Sequence, residues 1–113
     1  MIRSARHRLV DIHENIELVA ELTKNRTFAQ FESDLGFRYA VQYAVLIVAE
    51  AVNHLPTELR QRHPDIPWPN VIALGHKLRH EYHRIDADII WEIATIHLPQ
   101  LHGVIKRMAA QTA

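Results

Sequence analysis

Apolar residues return every three or four positions along almost the whole of this 113-residue chain. In the first segment Leu9, Ile12, Ile16, Val19 and Leu22 form one such series. A helix turns once in about 3.6 residues, so these side chains fall on a single stripe. No stretch alternates with period two, which leaves helices packed on helices as the only layer architecture.

The same reading sets the elements. The first amphipathic helix covers roughly residues 3–24. A break around Asn25 to Ser33 carries Phe28 and Phe31, after which Ser33 or Asp34 caps a second helix running to about Leu55. Between Ala40 and Val52 only Gln42 and Glu50 are strongly polar, so this helix is expected to be buried on more than one side, in the bundle and against another subunit. Pro56 ends it, Thr57 caps a short turn through Arg62, and HPDIPWPN is a rigid connector that positions Trp68. A third helix is expected from Pro69 to Tyr82 or His83. Asp86 then caps a fourth, and Pro99 marks a kink or a new start before a last helix to Met108. The expectation is one domain over residues 1–113, an all-α antiparallel bundle of four or five helices.

Charge narrows the function. Basic and acidic residues both number 13, so any nucleic-acid contact must be local. There is no cysteine, which fits a reducing cytoplasm and removes thiolate metal sites. The N-terminal segment lacks the apolar block of a signal peptide, and the longest apolar run, Ala44 to Ala49, is far below a membrane span. A cytoplasmic protein is expected.

Nine histidines are the compositional oddity, and three of them share the stretch LGHKLRHEYHRID with Lys77, Arg79 and Arg84. At about 100° per residue, His76, Arg79, His80 and His83 occupy one arc of roughly 100°. Leu74, Leu78, Val71, Tyr82 and Ile85 lie on the opposite side. Such a polar face is most often simply solvated. Histidine is nevertheless a middling helix former whose distinctive asset is a pKa near ~6.5. A metal site could use His76 and His80 at i and i+4, but no carboxylate shares the arc and HEYH is one residue short of the HExxH spacing. The remaining chemistry is RNA phosphodiester cleavage: one imidazole takes the 2′-hydroxyl proton, an acid protonates the leaving oxygen, and a cation steadies the phosphorane. His80 as base or acid, Arg79 as phosphate clamp and His76 or His83 as second proton carrier meet that requirement without metal or cofactor.

The order of Ala49-Glu50-Ala51, Leu55-Pro56, Ile66-Pro67-Trp68, His80-Glu81-Tyr82, Ile85-Asp86, Trp91-Glu92 and Leu98-Pro99 resembles the HepT-type HEPN proteins, small helical ribonuclease toxins usually encoded beside a minimal nucleotidyltransferase of the MntA type. The resemblance spans about residues 5–107, nearly the whole chain. It implies a homodimer with the active-site motif of each subunit at the cleft between them. That motif is Arg, four residues, His, any residue, Tyr. Its His and Tyr correspond to His80 and Tyr82, whereas Gly75 stands at the Arg position and His76 follows it. Arg79 is the candidate replacement. The resemblance further implies that Tyr82 receives AMP groups from an MntA-like nucleotidyltransferase antitoxin, engaging the cations that otherwise hold RNA. Lys77, His83 and Arg84 complete the expected RNA-binding face. The alternatives are a noncatalytic HEPN interaction subunit that binds a nucleotidyltransferase, and a small metal-binding helical protein.

Overall fold

The computed structural model describes residues 4–81 and 85–111. The helices are α1 (Ala5–Thr23), α2 (Phe28–Ser33), α3 (Leu35–Asn53), α4 (Thr57–Gln61), α5 (Trp68–Glu81), α6 (Ala87–Glu92) and α7 (Leu98–Gln111). A π-type segment, Ile93–His97, joins α6 to α7. There is no strand among the described residues. This is the all-α bundle expected, with α1, α3, α5 and the continuous α6–α7 segment as its long members.

Local chemistry explains the boundaries. Ser4 accepts the His7 amide at the start of α1, and Asp34 accepts the Phe37 amide at the start of α3. Asn25, just past the end of α1, takes a left-handed φ of 58°. The break expected after α1 contains a helix of its own, α2. Thr27 and Gln30 close it with a reciprocal capping box, the Thr27 hydroxyl accepting the Gln30 amide and the Gln30 carbonyl accepting the Thr27 amide.

Two cap assignments need correction. Thr57 lies inside α4 and Pro56 precedes it, with no side-chain cap. Asp86 stands at the head of α6, but its backbone carbonyl rather than its side chain accepts the Ile89 and Ile90 amides. Pro99 is the second residue of α7, the new start expected there. One residue earlier the Leu98 amide reaches back five residues to the Ile93 carbonyl, and this wider turn accommodates a proline ring that would otherwise press on the Thr95 carbonyl.

The core is one continuous cluster. Ile12, Ile16 and Val19 of α1 meet Val41, Val45, Val48 and Val52 of α3, with Leu101, Val104, Ile105 and Met108 of α7 closing the other side. α3 is long and apolar enough to cross a membrane, but half of it is buried inside the bundle. At one end Phe28, Phe31 and Phe37 surround Trp91, with ring centroids 5.1–6.4 Å apart. Trp68 anchors the start of α5. Its buried indole donates to the carbonyls of both Arg60 and His63, at 3.0 Å each.

Candidate functional site

Helix α5 is held on its apolar side and open on the other. Trp68, Gly75 and Leu78 are buried, and Ile85 is buried beyond the helix end. His76, Lys77 and His80 are exposed, as the angular positions require. His76 and His80 stand one turn apart on the solvent face. Tyr82, His83 and Arg84 lie outside the described residues.

The packing of α5 against α3 is unusually close. A Cβ built on Gly75 would lie 2.9 Å from the Ala49 Cβ, well inside van der Waals contact. The space that a side chain at position 75 would need is filled by α3. One turn further along α5, Arg79 reaches the next residue of α3, pairing its guanidinium with the Glu50 carboxylate. Glu50, the polar residue inside the apolar second helix, thereby has its partner. Both side chains keep substantial contact with water, 46% for Arg79 and 32% for Glu50, and exposed pairs of this kind contribute only about 0–1 kcal/mol. Glu50 holds Arg79 in place without removing it from reach. A guanidinium has five donors in a planar fork, so one carboxylate leaves donors for a phosphate.

The structure thus brings Arg79, Glu50, His76 and His80 to one region at the α3–α5 seam and its solvent edge. The pair itself could not be read from the sequence, because Glu50 and Arg79 are far apart in the chain. Opposite this face, an apolar cleft of about 400 Å³ lies between α3, α5 and α7, lined by Val48, Val71, Leu74 and Leu101 among others. It carries none of the candidate site residues.

Residues 12–108 match the ribonuclease HepT-like family. The chain belongs to the HepT-like ribonuclease family. It is similar to a probable ribonuclease HepT of Thermococcus cleftensis, 33% identical over 96% of this chain and 98% of the relative. It is also similar to a candidate RNase of Caldanaerobacter subterraneus subsp. tengcongensis, 31% identical over 95% of this chain and 96% of the relative. A candidate RNase of Methanocaldococcus jannaschii is 34% identical over 80% of this chain and 75% of the relative. No solved structure matches the chain.

A second histidine cluster escaped the sequence reading altogether. His13 of α1 and His102 of α7 stack with ring centroids 4.9 Å apart, and His102 Nε2 lies 3.2 Å from His13 Nδ1. Glu17 sits one turn along α1, its Oε1 3.3 Å from His13 Nε2. Partial burial, Lys106 and His13 together hold the His102 imidazole below its ordinary pKa, against an opposing pull from Glu17. Nothing in a linear scan joins positions 89 residues apart.

Proposed function

We propose that this HepT-like protein is a metal-independent RNA endonuclease, the toxin of a toxin–antitoxin pair. The observation that carries the reading is the Arg79 guanidinium beside the exposed His76 and His80 on a family-matched helix. In the proposed reaction one imidazole, from His80 or His76, removes the 2′-hydroxyl proton, and the freed oxygen attacks the adjacent phosphorus. The bond to the 5′-oxygen breaks as the second imidazole protonates that oxygen, leaving a 2′,3′-cyclic phosphate. Arg79 takes the developing phosphorane charge in two-pronged fashion. Lys77, with His83 and Arg84, holds the flanking backbone.

The reading includes a homodimer. Leu35, Tyr39 and Tyr43 recur at i, i+4 and i+8 on α3, and all three are exposed, Tyr43 by 66%. Such a stripe on a bundle helix suits a second subunit. Regulation by an MntA-like nucleotidyltransferase belongs to the same proposal: AMP on Tyr82 would set phosphates among Lys77, Arg79, His83 and Arg84 and occupy the cations that RNA needs.

Two measurements test this reading in cells. Induction of the wild-type chain should arrest growth and His80→Ala should not. Coexpression with a nucleotidyltransferase encoded beside it should add adenylyl mass to a peptide containing Tyr82. Equal growth arrest by both proteins, or an unmodified Tyr82 in a neutralised toxin, would contradict it.

A second reading rests on the Gly75–Ala49 contact. With no guanidinium at the motif position and no room for one, the chain would serve as a noncatalytic interaction subunit of a nucleotidyltransferase. It predicts partner binding with no RNA cleavage by any preparation.

A further inference from the structure

We propose that His13, Glu17 and His102 form a binding site for a divalent cation of the zinc class that ties α1 to α7. The site uses none of the residues assigned to RNA cleavage. His13 and Glu17 are four residues apart on α1, so both side chains leave the same helix face. His102 meets them from α7, where the turns following the π-type segment aim it at α1. Its Nε2 is 4.0 Å from Glu17 Oε1.

The distances match a coordination polyhedron. One donor atom from each of the three residues can be chosen so that all lie within 4.8 Å of one another. Tetrahedral zinc with bonds of ~2.0–2.1 Å spaces its ligands by roughly 3.3–3.5 Å. The 3.3 Å separation of His13 Nε2 and Glu17 Oε1 already has that value. Rotation of the exposed His13 and Glu17 side chains would close the remainder towards the part-buried His102.

The donor chemistry selects the ion. Two imidazoles and a carboxylate suit zinc, nickel or copper, whereas magnesium and calcium call for all-oxygen sets. Glu17 supplies a negative charge, and the contact between His13 and His102 requires that at least one ring be neutral, whose accepting lone pair turns to the metal when that hydrogen bond opens. Three protein ligands leave a fourth position open. Beside His102 and Glu17 a cleft of about 150 Å³, bordered by Ile16, Ala94 and Pro99, offers space for a water there. His13 and Glu17 side chains are 41% and 59% exposed, so an ion reaches the site from solvent. Binding at this point cross-links the first and last helices and stabilises the folded chain by mass action.

Zinc titration of tag-free protein, followed by calorimetry and by thermal unfolding, tests the proposal. One zinc per chain and a rise in Tm of several degrees are expected. His13→Ala and His102→Ala should each weaken zinc binding by at least about tenfold. Glu17→Gln, at an exposed position, should weaken it several-fold without lowering the Tm of the metal-free protein, which keeps the test valid should a histidine variant fold poorly. The exposed His76 and His80 are the competing chelator, so His76→Ala/His80→Ala should retain full affinity. Unchanged binding in both His13→Ala and His102→Ala, or loss of binding in the His76→Ala/His80→Ala protein, would overturn the proposal.

Discussion

Arg79 of α5 is paired with Glu50 of α3 at the seam where Gly75 meets Ala49. The two contacts are adjacent on both helices, Gly75 and Arg79 one turn apart and Ala49 beside Glu50. The small pair brings the backbones together, and the charged pair spans the edge of the contact.

Removing the carboxylate should release the guanidinium. Glu50→Gln keeps the side-chain shape but leaves Arg79 uncompensated, so RNA affinity should rise and the salt dependence should steepen by up to about one phosphate contact. Fluorescence anisotropy of a labelled oligoribonucleotide at several salt concentrations measures this. Stability should fall by about 1 kcal/mol, because both side chains of the pair keep partial contact with water.

Gly75→Ala sets two effects against each other. Alanine is the better helix former by about 0.8–1.0 kcal/mol. The new methyl would lie 2.9 Å from Ala49 Cβ, and overpacking of this kind costs about 1–3 kcal/mol. The clash should prevail, giving a net loss in urea unfolding that Ala49→Gly restores. Gly75→Arg, which supplies the arginine that the resemblance implies at this position, should destabilise the chain further and gain no activity.

Trp68→Phe should cost about 1–3 kcal/mol in thermal or urea unfolding, since the part-buried Arg60 carbonyl and the buried His63 carbonyl would both lose the indole N–H and keep only a backbone donor. Because Trp68 anchors the head of α5, RNA cleavage should decline with it.

The dimer proposal predicts that Tyr43→Glu, at a position exposed in the single chain, shifts the protein to monomer in sedimentation or light scattering while its Tm in dilute solution changes little. An unchanged dimer would place the interface elsewhere.

Much of this was legible because periodicity is local. The stripe through Ile12, Ile16 and Val19, the apolar run of α3 and the opposed faces of α5 each follow from about 100° per residue. The α2 helix was missed although Thr27 and Gln30 have capping-box spacing, because six residues carry too few turns to show a period. The π-type segment before Pro99 reads in sequence as an ordinary break. Glu50 with Arg79, Gly75 with Ala49 and His13 with His102 depend on which helices become neighbours. Only tertiary packing supplies each of these residues with its partner.

If side chains of α5 cleave RNA without metal, purified protein should do so in excess chelator and should depend on His80, which a comparison of wild type with His80→Ala measures. Wild type should yield fragments ending in 2′,3′-cyclic phosphate, with the rate reduced about 10²–10⁴-fold in His80→Ala. Cleavage at the same rate by both proteins, or none by wild type, would contradict it.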